Sequence, residues 1–290
     1  MVKYGRQEAG DRTGIGAGDS KLDWPDAKSR HNQTDLAEKE GCFVTPPRGR
    51  ILLAFAHPDD ESFLAAGFAI EASDQGDRVV LYCATRGEAA RGVGPTLADR
   101  RRLARVRAAE LALAAQELGI ARVVLDRFAD GGLGDAPGTS LIDALVRVIR
   151  RERPLVVVTF APDGGNRHPD HMAISRAVST ALPLAADVRF GKQLGRPHQV
   201  PTLLWTAPVM PWQMRGSADS LSKLAGVDLL VMLSPGARAR KARALGHHRS
   251  QRAPIERVFG RVSPGRWTLR AEAFQRAHSA SVGPCRHETA

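Results

Sequence analysis

Two short clusters of histidine and carboxylate residues each follow an apolar run of strand length. The first, Ala56-His57-Pro58-Asp59-Asp60-Glu61, comes directly after the run 51–55, and the second, Arg167-His168-Pro169-Asp170-His171, lies behind the run 155–160. Imidazoles and carboxylates at the mouth of a buried strand are poor packing groups, but they suit a metal ion that activates water. Two strand ends can converge, so the clusters predict a single site.

Part of each cluster also fits an ordinary helix start. Pro58 and Pro169 suit the first position of a helix, where acidic side chains favour the positive end of the helix dipole. That interpretation leaves the imidazoles unexplained. His168 and His171 are spaced to face one side of the first helical turn, and His57 with a carboxylate three positions later completes a two-histidine, one-carboxylate metal face. Taken together, the clusters favour a metal site.

The rest of the chain predicts a scaffold that brings strand ends together. From residue 50 onward, apolar runs alternate with helical stretches, which is typical of an α/β fold with a Rossmann-like, mostly parallel sheet and helices on both faces. The carboxyl ends of such strands share one edge, where open sheets bind ligands. The predicted strands are 51–56, 78–84, 122–125, 154–160, 202–207 and 227–233, and the predicted helices are 60–75, 97–118, 140–152, 170–182 and 237–251.

Length and composition indicate one large domain with appendages. The chain has 290 residues, of which 43% are hydrophobic, enough to bury a sizeable core. Residues 1–49 are rich in polar residues and glycine and show no periodicity, so we predict a polar, mobile N-terminal arm. The α/β pattern predicts one domain over residues 50–277, followed by a C-terminal tail over 278–290.

The formal net charge of +11 raises the question of an anionic partner such as nucleic acid or an acidic membrane. The basic residues are scattered, however, and only 5% of residues are aromatic, which leaves few stacking platforms for single strands. We interpret the charge as an arginine-rich solvated surface and expect no nucleic-acid partner.

The cysteines and the hydropathy indicate a cytoplasmic protein. Cys42, Cys83 and Cys285 are odd in number and lie far apart, without the short spacings of redox pairs or thiolate metal sites, which favours a reducing compartment. No apolar segment approaches the roughly 20 residues that a membrane span requires. We therefore expect a cytoplasmic location and no membrane span.

Further motifs accompany the two clusters in a fixed order. With them, the chain resembles the LmbE-like or PIG-L-type metal-dependent deacetylases, which remove acetyl groups from N-acetylglucosamine conjugates. The resemblance covers nearly all of residues 50–277. The motifs are Thr85-Arg86-Gly87-Glu88, Arg107-Ala108-Ala109-Glu110 with Leu118-Gly119, Asp130-Gly131-Gly132-Leu133, and Lys241 through His248-Arg249-Ser250-Gln251.

The resemblance implies a metal site and a general base. In the family the metal is usually zinc, and here its ligands would be His57, Asp60 and His171. Two imidazoles and a carboxylate accept ferrous iron as well as zinc. Asp59, next to a ligand but not itself one, would take a proton from water. An acetamide is a poor electrophile, so such a reaction needs a Lewis acid to polarise its carbonyl.

The resemblance also implies roles beyond the metal. His168 would stabilise the oxyanion, best as a cation, or protonate the leaving amine, and Asp170 would orient an imidazole. Arg107 and Asp130 stand at positions that contact sugar hydroxyls in the related mycothiol-pathway enzymes. Those enzymes carry a tyrosine two residues before the second motif's first histidine, where this chain has Asn166.

Several of these residues have simpler interpretations. Arg107 and Glu110, three positions apart, fit an ion pair on a helix face. Asp130 before two glycines fits a turn. His247 and His248, near the end of a basic helix, fit exposed or capping positions better than metal ligands.

The favoured hypothesis is a zinc-dependent hydrolase that converts an N-acetylated amino-sugar conjugate into a free amine and acetate. One alternative is a glycosyltransferase-like nucleotide-sugar protein in which Asp59 and Asp60 hold a divalent ion against a diphosphate. It leaves the three histidines unused, and no glycine-rich phosphate motif follows the first strand. A basic nucleic-acid-binding module is the third hypothesis, and it predicts strongly salt-dependent binding without a metal.

Overall fold

The computed structural model describes residues 48–90, 96–137, 139–207, 226–262 and 269–277. The predicted arm over 1–49 and tail over 278–290 therefore lie outside the described residues, except for Arg48 and Gly49. These two contact Asp77: Arg48 Nε lies 3.3 Å from Asp77 Oδ1, and the Gly49 N–H donates to the same oxygen at 2.9 Å.

The described strands form one sheet in the order β3-β2-β1-β4-β5-β7-β6. The first five are parallel, whereas β7 runs antiparallel to both β5 and β6. The predicted mostly parallel α/β fold is thus confirmed. The strands are β1 (Arg50–Phe55), β2 (Arg78–Thr85), β3 (Arg122–Phe128), β4 (Val156–Phe160), β5 (Thr202–Ala207), β6 (Leu229–Met232) and β7 (Ala271–Arg276).

Helices connect the parallel strands and pack in two groups. Strand order runs outward from β1 to β3 and then returns to β4 and β5, so right-handed connections place the helices before and after this reversal on opposite faces. In agreement, α2 and α3 contact α6, while α4 packs on α5. The helices are α1 (Asp60–Leu64), α2 (Ala66–Asp74), α3 (Leu97–Leu118), α4 (Ser140–Glu152), α5 (Pro169–Ala186), α6 (Pro235–His247) and α7 (Arg252–Phe259).

The structure corrects three of the predicted elements. The helix predicted over 60–75 is broken at Ala65, where φ is −138°. The helix predicted over 237–251 ends at His247 and is followed by a 3₁₀ turn (Arg249–Gln251) and α7. Strand β7 was not predicted, because Ala, Glu, Gln and Arg have little intrinsic preference for strands and this segment is fixed by its two partner strands.

A buried ion pair connects β7 to helix α6. Lys241 of α6 and Glu272 of β7 are only 2% and 4% exposed, and Lys241 Nζ lies 2.6 Å from Glu272 Oε1. The two oxygens of Glu272 also accept hydrogen bonds from the backbone N–H groups of Gly67 and Phe68, at 2.8 and 2.9 Å. The carboxylate thus caps the positive end of α2.

The sheet centre is the core of the fold. Strands β1, β2 and β4 are buried on both faces, as their continuous apolar runs predict. Within the described residues, no helix combines the length and the apolar character required to span a membrane.

Candidate metal centre

The two sequence clusters meet at the middle of the sheet. β1 and β4 are neighbours, and the chain leaves them in opposite directions, which makes their carboxyl ends the switch point where such sheets bind ligands. The three imidazoles are in mutual contact there. Ring centroids lie 5.3 Å apart for His57 and His171, 4.9 Å for His57 and His168, and 4.7 Å for His168 and His171.

The three predicted ligands surround one point. Asp60 Oδ1 lies 3.4 Å from His171 Nε2, and Asp60 Oδ2 lies 3.6 Å from His57 Nδ1. The side chains are 9 or 10% exposed. These separations suit donor atoms that share a cation at about 2.0–2.2 Å from each. Two further groupings have ligand atoms that all lie within 4.8 Å of one another: His57 with His168 and His171, and His57 with Asp130 and Asp170.

His171 presents one particular nitrogen to this point. Its Nδ1 lies 3.1 Å from the carbonyl oxygen of Gly164, so Nδ1 carries the proton and Nε2 keeps its lone pair. The ring also stacks on Phe160 at 3.9 Å. Burial lowers the pKa of His171, although Asp60 opposes this effect. The ring is therefore held neutral, as a metal ligand must be.

His57 is oriented in the complementary way. Its Nε2 lies 3.1 Å from both Asp170 Oδ2 and Asp130 Oδ1, which places a proton on Nε2, while Nδ1 faces Asp60 Oδ2 at 3.6 Å. Asp170 is fixed in turn by the backbone N–H groups of Gly131 and Leu133, at 2.7 and 3.0 Å. The predicted role of Asp170, to orient an imidazole, matches this contact with His57.

The carboxylates around His57 favour a positive charge at this ring. Burial lowers the pKa of His57, but hydrogen bonds to Asp130, Asp170 and Asp60 together raise it well above its usual value. Burial likewise disfavours the charge of Asp60, yet the adjacent His171 and His57 lower the pKa of that carboxyl. The site thus carries an excess of negative charge that a divalent cation would neutralise.

Asp59 has a strained backbone beside these ligands. Its φ of 114° is unusual for a residue other than glycine and costs of order 1–3 kcal/mol, a kind of strain found mainly at functional sites. Asp59 Oδ2 lies 3.2 Å from Arg107 Nη2, and the backbone N–H of Asp59 donates to Glu61 Oε2 at 3.0 Å. Burial raises the pKa of Asp59, which Arg107 only partly offsets.

Arg107 lies behind Asp59 and is only 3% exposed. Its Nη1 donates to the Gly87 carbonyl at 2.9 Å, and its Nη2 donates to the carbonyl of Pro58. The simpler interpretation, an ion pair with Glu110, is wrong: the carboxylate of Glu110 accepts hydrogen bonds from the backbone and the hydroxyl of Ser250.

Asp130 is also turned inward. Beyond its contact with His57, its Oδ2 accepts a hydrogen bond from the Ala89 N–H at 2.6 Å, and its own N–H donates to Glu88 Oε1 at 3.1 Å. The loops after β2 and β3 are thereby joined at the site. The contacts of Asp130 and Arg107 with sugar hydroxyls, implied by the resemblance, stay predictions.

His168 caps helix α5. Its Nδ1 accepts a hydrogen bond from the Asp170 N–H at 3.2 Å, and its own N–H donates to Asn166 Oδ1 at 3.0 Å. Asn166, which replaces the tyrosine of related enzymes, therefore fixes the histidine's backbone. Because Nδ1 accepts this hydrogen bond, Nε2 is the ring nitrogen left to face a substrate. The role of His168 toward the oxyanion stays a prediction.

One buried pair at the site was not identified from the sequence. His248, expected to be exposed or capping, does end α6, but it is fully buried and its Nε2 lies 2.8 Å from Glu61 Oε1. Burial lowers the pKa of His248, and Glu61 raises it by more. The one available signal was its position in the last family motif, which carried no assigned role.

Comparison with known proteins agrees with this geometry. Residues 52–182 match the family described as PIG-L: GlcNAc-PI de-N-acetylase. A 1D-myo-inositol 2-acetamido-2-deoxy-alpha-D-glucopyranoside deacetylase from Nakamurella multipartita is 34% identical over 250 residues, which cover 76% of this chain and 84% of that protein. The deacetylase of the same name from Streptomyces scabiei is 38% identical over 177 residues, or 54% of this chain. The match spans only 55% of that relative's length.

Solved structures show the same fold. The N,N'-diacetylchitobiose deacetylase from Pyrococcus horikoshii superposes with a TM-score of 0.63 over 88% of this chain and 94% of its own. At 18% identity this likeness concerns the fold alone. The family match and the Nakamurella relative confirm the resemblance drawn from the motifs: the chain belongs to the LmbE-like, PIG-L family.

Proposed function

We propose that the protein is a metal-dependent hydrolase that removes the acetyl group from an N-acetylglucosamine-type amino-sugar conjugate, giving a free amine and acetate. One observation carries the proposal: His57 Nδ1 and His171 Nε2 both face the carboxylate of Asp60, beside the strained Asp59. The names of the relatives, which are deacetylases of an acetamido sugar, support the same reaction class.

The donor set fits a divalent metal. Nδ1 of His57, Nε2 of His171 and the carboxylate of Asp60 face one another at 3.4–3.6 Å. A divalent cation bound between them would take the place of the proton that the carboxylates favour on His57. We propose zinc as the resident ion, with ferrous iron as the alternative that this donor set also accepts. When bound, the ion would polarise the acetamide carbonyl and make water more acidic.

Asp59 is the proposed general base. Its Oδ2 is held by Arg107, which leaves Oδ1 to accept the proton of the attacking water. Because burial raises the pKa of Asp59, this carboxylate binds a proton more tightly than an exposed one. The protonated Asp59 or His168 then supplies the proton that the leaving amine requires.

His168 is the proposed stabiliser of the oxyanion. The ring is fixed at Nδ1 by the Asp170 N–H, so Nε2–H is available as a donor. A donor whose hydrogen bond strengthens as charge develops stabilises the transition state more than the substrate. Asp170 serves the centre twice, through this backbone contact and through its carboxylate on His57.

Arg107 and Asp130 are the proposed contacts to sugar hydroxyls. Both side chains already bind protein groups, so a substrate has to use the positions that remain. Arg107 Nε lacks a hydrogen-bond partner within the described part of the chain, but it is buried, so Arg107 contacts a sugar only if its side chain moves. The cytoplasm is the proposed compartment, on the number and spacing of the cysteines.

Metal content and amine release test the proposal together. Amine release is assayed on a panel of N-acetylglucosaminides for the parent protein, Asp59→Asn and His57→Ala. We expect Asp59→Asn to retain metal and to lose on the order of 10²–10⁴ in turnover, the usual contribution of a general base. His57→Ala should lose metal affinity. Glu256→Gln, at an exposed site on α7, is the control and should behave like the parent.

Two outcomes would contradict the proposal. Full activity of Asp59→Asn would remove the assignment of the base. Unchanged metal content after replacement of His57, Asp60 and His171 together would remove the metal centre itself.

A further inference from the structure

A chain of buried polar contacts runs from Asp59 to the C-terminal part of the fold. The Asp59 N–H donates to Glu61 Oε2 at 3.0 Å, and Glu61 Oε1 lies 2.8 Å from Nε2 of His248. Ser62 Oγ adds a third contact to Glu61, at 2.6 Å. His248 stands between α6 and the 3₁₀ turn Arg249–Gln251. The backbone of the proposed base is therefore linked to a segment nearly 190 residues further along the chain.

The Glu61–His248 pair is unusually enclosed. Both residues are 0% exposed, and Nδ1 of His248 has no hydrogen-bond partner in the described structure. Burial leaves Nδ1 of His248 without a partner among the described residues, which is unfavourable. The contact between Nε2 and Glu61 is therefore the interaction that stabilises the ring in this position. Neither residue offers an atom to the metal, and neither has a part in the proposed chemical steps.

Helix α3 closes the chain of contacts into a ring. Arg107 contacts Asp59, and Glu110, one turn later on the same helix face, accepts hydrogen bonds from the N–H and the hydroxyl of Ser250 at 2.8 and 2.6 Å. Ser250 follows His248 by two residues. Arg107 thus holds the side chain of Asp59, and Glu61 holds its backbone N–H. Helix α3 and Glu61 both contact the segment 248–251, through Ser250 and His248.

We propose that Glu61 and His248 are positioning residues that hold Asp59 in its strained conformation. The inference rests on the proposed function, in which Asp59 is the general base. With φ at 114°, Asp59 lacks a side-chain capping bond of its own, and the hydrogen bond to Glu61 fixes its N–H. The C-terminal segment 248–251 therefore contributes to turnover, although it lies beyond the part of the chain that matches the family description.

The role differs from that of an ordinary buried ion pair. Lys241 and Glu272 are as buried as Glu61 and His248, but they contact the start of α2 and the carbonyl of Phe63 rather than Asp59. Loss of the Lys241–Glu272 pair should lower only the unfolding free energy. Loss of the Glu61–His248 pair should also displace Asp59, and a displacement of about 1 Å costs on the order of 100-fold in rate.

The test compares Glu61→Gln and His248→Leu with His248→Gln, which keeps an N–H donor for Glu61. Lys241→Met is the matched control. For each zinc-loaded protein we would measure kcat and KM for an N-acetylglucosaminide, metal content, melting temperature and the crystal structure around Asp59. Ser250→Ala is a milder variant that leaves both members of the pair in place.

We expect Glu61→Gln and His248→Leu to lower kcat by about 10-fold or more, with KM and metal content close to those of the parent. His248→Gln should recover most of the loss. Lys241→Met should lower the melting temperature and leave kcat unchanged. If Glu61→Gln and His248→Leu do not fold, the kcat values of Ser250→Ala and His248→Gln test the inference instead. We expect each to lie about 3-fold below the parent value.

An unchanged kcat in folded Glu61→Gln and His248→Leu, or an Asp59 backbone that keeps its φ in the crystal structures of these two variants, would overturn the inference. A parent protein that releases no amine from any substrate would instead count against the proposed function. In that case the crystal structures still decide, because a displaced Asp59 supports the positioning role whatever reaction the site performs.

Discussion

Two buried polar clusters in this protein have similar burial but opposite hydrogen bonding. At Lys241 and Glu272, a cation and two backbone N–H groups saturate the carboxylate. At Asp60, Oδ2 accepts the backbone N–H of His57 at 2.8 Å, and the carboxylate otherwise faces Nδ1 of His57 and Nε2 of His171 at 3.6 and 3.4 Å. The first cluster is complete within the protein, whereas in the proposed function the second also holds a cation. The residue types around each carboxylate, rather than its burial, therefore separate a structural ion pair from the proposed metal centre.

The largest expected effect comes from Asp60→Asn. The amide gives His171 a donor in place of an acceptor, so metal binding should be lost, and with it several kcal/mol of transition-state stabilisation, or about 10³-fold in kcat/KM. The unfolding free energy of the metal-free protein should change much less, because the amide oxygen of asparagine keeps the hydrogen bond from the His57 N–H. Steady-state kinetics and chelator-treated denaturant unfolding measure the two quantities. A loss of metal-free stability as large as that of Lys241→Met would show that the role of Asp60 is structural.

Lys241→Met should give the reverse result. Removal of one member of a buried ion pair leaves Glu272 unpaired and costs about 3 kcal/mol or more in unfolding free energy. Metal content and kcat of the folded protein should match the parent. Urea unfolding with metal analysis checks both, and a loss of metal in this variant would erase the distinction between the two clusters.

Asp170→Asn tests the orientation of His57. An asparagine NH₂ group at the position of Oδ2 would face the His57 Nε2–H and the Gly131 N–H, and at the position of Oδ1 it would face the Leu133 N–H, so at least one hydrogen bond becomes a repulsive contact. We expect metal affinity to fall 10- to 100-fold, as is usual for residues that orient metal ligands. Competition with a zinc-binding dye measures the affinity. Asp130→Asn, with one backbone donor to its side chain, should have the smaller effect, and the opposite order would assign the orienting role to Asp130.

The smallest effect is expected for Gly164→Ala, which has a close control in Gly165→Ala. Both glycines have φ of +72°, so each alanine costs roughly 1–2 kcal/mol in backbone strain. Only at residue 164 would the new Cβ approach His171 Cβ, to 2.9 Å, whereas nothing lies within 4 Å at residue 165. Metal affinity should therefore fall in Gly164→Ala alone. Equal affinity in the two variants would show that the Gly164 loop does not position His171.

Sequence reasoning succeeded where a residue's partners lie close in the chain. The five parallel strands were predicted from continuous apolar runs, and the long helix α3 was predicted at its observed bounds. In the structure, a capping box of Thr96 and Asp99 begins this helix, and Gly119 ends it at φ of 71°. The convergence of the two histidine clusters followed from the shared edge of a parallel sheet. Each of these inferences needs only local periodicity and general topology.

Reasoning failed where a distant partner decides. Strand β7 exists because β5 and β6 flank it, and Glu272 within it is satisfied by Lys241 and by the start of α2. His248 at the end of a basic helix has the composition of an exposed residue, and only its contact with Glu61 explains its burial. Arg107 and Glu110 have the spacing of an ion pair, yet each binds a different segment.

The sequence by itself determined the sheet, the edge at which ligands bind, and the residue types gathered there, because these depend on hydrophobic periodicity and chain direction. Only the tertiary structure decided which nitrogen each imidazole presents, that Nδ1 of His168 caps helix α5, and that Asp59 is supported by Arg107 and Glu61. The physical reason is that the proton on a ring nitrogen follows the acceptor opposite it, and those acceptors come from Gly164, Asp130 and Asp170, on loops brought together only by the fold.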